Sequence, residues 1–328
     1  MSLTVLGGGS WGTALAAHLC RAGHPVRMWL RQPEVADEIN RHRRNQAYLP
    51  DVELPSALKA TTDLAGAVAG AEAVFVVIPS EFCRGVYRQL RGVVPARAVI
   101  VSGTKGIETD TLRRMTEVAS AEVPGHPLAV LSGPSFALEV AREQPTTVVV
   151  ASADLAVAEA AQRLVSTRSF RAYSSADVVG VELAGSLKNV IAIAAGIVDG
   201  LGYGHNTVAA LVTRGLAEIA RLAVASGARA DTLSGLAGLG DLVLTCTGAL
   251  SRNRRLGQAL GAGRSVAEAV AETRMVAEGL RTTLAACALA ERAGIEMPIS
   301  MQMREVLYRG RAPREAVDAL MLRSLKRE

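Results

Sequence analysis

The 328-residue chain carries 36 Lys and Arg against 31 Asp and Glu, a net charge of +5, and 49% of its residues are hydrophobic. That length predicts about two domains with apolar material for two cores, and the apolar fraction excludes a disordered chain. Four Phe, two Trp and five Tyr leave no ring-rich surface for nucleic-acid bases, so the small charge suits at most a small anionic substrate.

In chain order, residues 3–6, 26–30, 73–78, 98–101, 127–131 and 146–151 are short apolar runs of strand character, with helical patterns at 13–21, 63–68, 109–118 and 154–164. The alternation predicts a parallel sheet buried on both faces. Right-handed crossovers would gather the loops at the strand carboxyl ends around one crevice. Beyond about residue 175 the character changes. Residues 177–198 form a long Ala/Gly/Ile/Val-rich helical pattern, and helical runs come after it at 206–226, 265–271, 275–293 and 312–325. Pro298 and Pro313 sit where a first helical turn tolerates them. The expected fold is α/β: a Rossmann-type doubly wound sheet domain over 1–176, then an all-α domain over 177–328.

The longest clean apolar stretch, 190–198, falls short of the ~18 residues a membrane span needs, so no span is expected. Residues 1–2 run straight into the first strand, and no signal sequence is expected. Cys20, Cys83, Cys246 and Cys287 lack C-x-x-C spacing. A cytoplasmic protein with reduced thiols and no metal is the expectation.

Gly7, Gly9 and Gly12 occupy the positions of G-x-G-x-x-G between the first strand and the helix after it. Such glycines allow a tight turn, close approach of a pyrophosphate and close helix–strand packing, and the helix N-terminus favours the anion. The second strand leads to Arg31, which suits a ribose 2′-phosphate and tilts the cofactor toward NADPH; nearby Glu34 keeps NADH open. A solvated surface role for Arg31 weighs about equally. Two further glycine-flanked loops, 102–106 with Lys105 and 132–137 with Gly133 and Ser135, come after strands and face the same crevice.

Only Lys59, Lys105, Lys188 and Lys326 are lysines. Lys188 interrupts the most apolar helical stretch, where a lysine needs a partner or a purpose. Burial, or a second cation such as Lys105, would move its amine toward the range of a general acid/base; snorkelling to solvent is the plainer alternative. Farther on, Asp241 lies in the flexible glycine frame Gly-Leu-Gly-Asp-Leu and is placed to bind a substrate hydroxyl or orient Lys188. Ser251 reads as the N-cap of a helix opening with Arg252 and Asn253, a phosphate-binding arrangement or else a capped surface helix.

Together these motifs resemble the bacterial-type NAD(P)-dependent glycerol-3-phosphate dehydrogenases over nearly the whole chain. GGGSWGTALA at 7–16, the Arg44-Asn45 and Tyr48-Leu49-Pro50 stretch, KGIE at 105–108, GPSFA at 133–137, ELAGSLKNV at 182–190, GLGDL at 238–242, SRN at 251–253 and VAEG at 276–279 carry the likeness. It implies reduction of dihydroxyacetone phosphate to sn-glycerol 3-phosphate for phospholipid synthesis, with Lys188 as proton acceptor in alcohol oxidation, and a homodimer. It places substrate at Lys105, Gly133, Ser135, Lys188, Asp241, Ser251, Arg252 and Asn253. It places cofactor at Ser10, Trp11, Arg31, Lys105, Ala137, Arg252, Val276 and Glu278. A hydroxy-acid dehydrogenase and a non-catalytic NADPH-binding protein are the alternatives; the SRN and GLGDL motifs argue against the first and Lys188 against the second.

Overall fold

The computed structural model describes residues 2–271 and 277–325. Strands and helices alternate first: β1 (Leu3–Leu6), α1 (Ser10–Arg21), β2 (Val26–Trp29), α2 (Pro33–His42), β3 (Lys59–Thr61), α3 (Leu64–Val68), β4 (Ala73–Val76) and α4 (Ser80–Leu90). They continue as β5 (Val99–Ser102), α5 (Met115–Glu122), β6 (Leu128–Ser132), α6 (Ala137–Ala141), β7 (Thr146–Ala151), α7 (Leu155–Val165) and β8 (Phe170–Ser175). Among the described residues, those beyond β8 form helices only. These are α8 (Val178–Gly200), α9 (His205–Ala225), α10 (Ala230–Ser234), a π-helical turn (Leu236–Gly240) and α11 (Asp241–Thr247). The last are α12 (Arg252–Gly261), α13 (Val266–Ala271), α14 (Glu278–Ala293), α15 (Pro298–Arg309) and α16 (Pro313–Met321).

The chain forms two compact units, Met1–Glu108 with Arg113–Glu182, and Thr109–Leu112 with Leu183–Glu328. The first is built on an eight-stranded sheet of order β3-β2-β1-β4-β5-β6-β7-β8. The order reverses between β1 and β4, the place where such sheets open a ligand crevice beyond their carboxyl ends. Both faces are covered: along β4, Ala73 and Phe75 pack with α1, whereas Val74 and Val76 pack with Cys83, Tyr87 and Val118 of α4 and α5.

The expected all-parallel sheet is corrected at one pair, because β7 runs antiparallel to β6. The link between them is the five-residue α6 and a turn through Glu143 at φ 56°, which turns the chain back without a full crossover. The helix expected at 109–118 also shifts: Thr109–Leu112 leaves for the other unit, Leu112 takes φ 59°, and α5 starts at Met115.

In the helical unit, α8 is long and apolar enough to cross a bilayer, but its apolar window is wholly buried in the protein, as for a core helix. Glu218 of α9 is buried at 1% exposure. Its carboxylate accepts from the backbone N–H groups of Ile299 (2.5 Å) and Ser300 (3.2 Å) and from the Ser300 hydroxyl (3.2 Å), satisfying the start of α15. Burial outweighs these bonds and pushes its pKa from 4.5 up to about 7. Between those values the native protein holds more protons than the unfolded chain, so this contribution is full below pH 4.5 and is lost as pH rises through 7. Urea unfolding is expected to show about 3 kcal/mol less stability from this group at pH 7.5 than at pH 4.5, and Glu218→Gln should flatten that slope.

Candidate active site

The glycine loop after β1 is built as a cradle. Gly7 has φ +131°, and a side chain there would run into the Val77 carbonyl; one at Gly12 would strike the Gly7 carbonyl. Gly9, the N-cap of α1, has open space where a side chain would be. The first turn of α1 contains no acidic residue, so its N–H groups face that opening with a positive dipole end. The Trp11 Nε1–H is buried without a hydrogen-bond partner. An open glycine at the N-terminus of a helix and an orphaned indole N–H fit the diphosphate and carboxamide acceptors of a dinucleotide.

A strap from residues 43–49 holds this loop, and sequence reasoning assigned it no role. Asn45 is fully buried. Its amide donates to the Gly8 carbonyl at 2.9 Å and to Thr13 Oγ1 at 2.8 Å, and its carbonyl accepts from Tyr48 N–H. Ser10 Oγ donates to the Tyr48 carbonyl at 2.6 Å. Past β2, Arg31 is exposed and lies over the Phe82 ring, 5.1 Å from its centroid. A cation held on an aromatic face keeps its outward N–H groups available.

At the ends of β5 and β6, Lys105 Nζ donates to the Gly133 carbonyl at 2.9 Å, and Ser135 Oγ donates to the same oxygen at 2.9 Å. Gly133 has φ +131°, and a side chain there would strike the backbone of Val148. Ala137 opens α6 beside them. Lys105, Gly133 and Ser135, three of the residues expected to bind substrate, thus form one cluster in the sheet unit.

Lys188 and Asp241 meet in the helical unit. Lys188 is 6% exposed and Asp241 1%. Nζ donates to Asp241 Oδ1 at 2.5 Å and to Thr245 Oγ1 at 2.6 Å, and the Thr245 hydroxyl donates to the Asp241 carbonyl at 2.6 Å. The amine is therefore compensated by a carboxylate rather than snorkelling to solvent. The glycines before Asp241 are not a flexible frame. Gly238 is buried in the π-helical turn, where a side chain would collide with Leu233. A π-helical turn shifts the register of the helix beyond it, and the first residue of α11 beyond this one is Asp241.

Ser251 caps α12 as expected, accepting from Arg254 N–H at 3.2 Å. Asn253 is buried: its amide donates to Asn189 Oδ1 at 3.0 Å and its carbonyl accepts from Gly279 N–H at 3.1 Å, at the start of α14 beside Glu278. Arg252 donates no hydrogen bond to a described residue; burial and the nearby Arg255 hold its pKa below the usual value, with Glu278 opposing. Val276 lies outside the described residues. Helix α12 crosses α8 at backbone contact. Side chains at Gly196, Gly257 or Gly261 would meet the carbonyls of Arg254, Ile193 or Ile197, so these glycines place the start of α12 against the Lys188 helix.

Residues 2–158 match the model of the NAD-dependent glycerol-3-phosphate dehydrogenase N-terminus, and residues 177–318 that of its C-terminus. The chain belongs to the NAD-dependent glycerol-3-phosphate dehydrogenase family. A glycerol-3-phosphate dehydrogenase (NAD(P)+) of Geobacter sulfurreducens is 52% identical over 327 residues, covering 99% of this chain and 98% of its own. One from Anaeromyxobacter sp. (strain K) is 53% identical over 331 residues and covers both chains fully. The crystal structure of glycerol-3-phosphate dehydrogenase from Coxiella burnetii superposes with a TM-score of 0.95 at 42% identity, over 98% of this chain and 99% of that one.

Proposed function

We propose that this protein interconverts dihydroxyacetone phosphate and sn-glycerol 3-phosphate, with Lys188 as general acid/base. The carrying observation is the buried Lys188 amine, its charge compensated by Asp241 and its direction held by Thr245. A bound nicotinamide nucleotide supplies the hydride. Gly7, Gly9, Ser10, Trp11 and Gly12 would hold its diphosphate side, and Arg31 its ribose. Lys105, Gly133 and Ser135 are assigned to substrate in the sheet unit. The start of α12 takes the phosphate: unclaimed helix N–H groups, the Ser251 cap and the Arg252 guanidinium suit an oxyanion. In reduction, Lys188 Nζ stabilises the oxygen charge that develops at the substrate carbonyl and gives it a proton; in oxidation the neutral amine takes that proton back. We assign residues 1–176 to nucleotide binding and 177–328 to substrate. The product's use is glycerophospholipid synthesis, and the setting is a cytoplasmic homodimer; the four cysteines are all free and buried.

With dihydroxyacetone phosphate, purified protein is expected to consume NADPH, read at 340 nm. Turnover confined to a hydroxy acid, or none with either nucleotide, would overturn this reading. Arg31→Asp is expected to shift the ratio of NADPH to NADH efficiency at least tenfold toward NADH, because it replaces a 2′-phosphate partner by a hydroxyl acceptor. An unchanged ratio would remove Arg31 from the nucleotide site.

A further inference from the structure

The backbone passes between the two units after Glu108, after Leu112 and after Glu182. Charged residues of the first unit lie at each of these three points in the chain. Arg84 donates twice to Glu108, from Nε at 2.7 Å and Nη2 at 2.6 Å, and Glu108 N–H donates to the Arg113 carbonyl at 3.0 Å. That bond and the bridge between Ile107 and Arg114 close the 109–112 excursion. Arg114 then reaches across to α8, its Nη1 donating to Glu182 Oε2 at 2.6 Å. Thr116, in the first turn of α5, gives the same carboxylate its backbone N–H at 2.8 Å and its hydroxyl at 2.6 Å. The Glu182 side chain is only 4% exposed.

Desolvating a carboxylate and a guanidinium is costly, and a buried pair is weak evidence of net stability; its best-attested use is to fix register. Here the register is axial. Lys188 stands six residues farther along the same helix, ~9 Å at 1.5 Å per residue, and beyond the crossing. Nothing between Glu182 and Lys188 breaks the helix, so the clamp on its first turns is carried to the amine as a rigid offset.

We propose that Glu182, held by Arg114 and Thr116, is a positioning residue that pins the first turns of α8 to the start of α5 and thereby sets the axial offset of Lys188 from that anchor. The catalytic consequence rests on the dehydrogenase reading, while the anchoring does not. A misplacement of ~1 Å at a reacting group costs on the order of 100-fold in rate.

The test compares Glu182→Asp, which keeps the charge but withdraws it by one methylene, with Glu182→Gln, which keeps the length and an acceptor for Thr116. Glu182→Asp is expected to lower kcat at least tenfold while KM for dihydroxyacetone phosphate and Kd for NADPH stay within about threefold. The solvent isotope effect on kcat should rise, and Glu182→Gln should lie between it and the parent. Amide hydrogen exchange read in parallel is expected to speed up at least tenfold over residues 184–190 in Glu182→Asp and to stay constant in β1 and β4. A kcat loss that only tracks the unfolded fraction, or KM and kcat moving together, overturns the positioning role. Unchanged exchange over 184–190 overturns the anchor itself, even should the enzyme prove to act on another substrate. Where Glu182→Asp does not fold, Glu182→Gln gives the same two readouts.

Discussion

Lys188→Met is expected to lower turnover of dihydroxyacetone phosphate about 1,000-fold, the loss typical when a positioned general acid/base is removed, while NADPH binding persists. Stability should fall as well, for a separate reason. With the amine gone, the Asp241 carboxylate, at 1% exposure, loses its Lys188 partner, and breaking a buried pair from one side costs about 3–5 kcal/mol. The double variant Lys188→Met with Asp241→Asn removes both charges. It should regain most of the lost stability in urea unfolding and none of the lost activity. A double variant as unstable as the single one would show that the pair is not coupled as its 2.5 Å separation requires.

That separation of catalysis from stability also shows what the sequence could and could not convey. Lys188 was legible because an amine in an apolar helix is conspicuous without any knowledge of its neighbours. Asp241 was legible too, as a residue placed to orient it, whereas Thr245 and the way Asp241 is aimed were not. Asp241 lies 53 residues away, and what aims it is the π-helical register of Leu236–Gly240, a feature with no periodic signature. The glycine loop was legible because its spacing is local, whereas the Asn45 strap acts over 37 and 32 residues through an ordinary polar side chain. The same contrast runs through the fold. Helix α4 carries its buried face at Cys83, Val86, Tyr87 and Leu90, a helical spacing present in the sequence. By contrast, β3 has three residues and pairs only with β2, too short to pattern. The reversal at β7 and the late start of α5 depend on single residues, Glu143 and Leu112, at positive φ. Non-glycine residues carry no mark of that conformation.

Arg252→Ala is expected to raise KM for dihydroxyacetone phosphate about 10- to 100-fold, the equivalent of the 1.5–3 kcal/mol of a hydrogen bond to a charged group. Arg252→Lys should recover only part of this, since an ammonium lacks the paired N–H donors of a guanidinium. The effect on the free protein should have the opposite sign. Arg252 is partly desolvated and repelled by Arg255, and its charge is disfavoured in the folded chain despite Glu278. Removing it should leave the unfolding midpoint equal to or above that of the parent. Inorganic phosphate is then expected to raise the midpoint of the parent and not of Arg252→Ala, because an anion at the start of α12 would supply the partner this guanidinium lacks among the described residues. A variant less stable than the parent without phosphate, and equally stabilised by it, would mean that Arg252 is a structural cation. The phosphate would then need another seat. The expected pattern makes Arg252 a cation whose charge is stabilised by the substrate phosphate more than by its own fold.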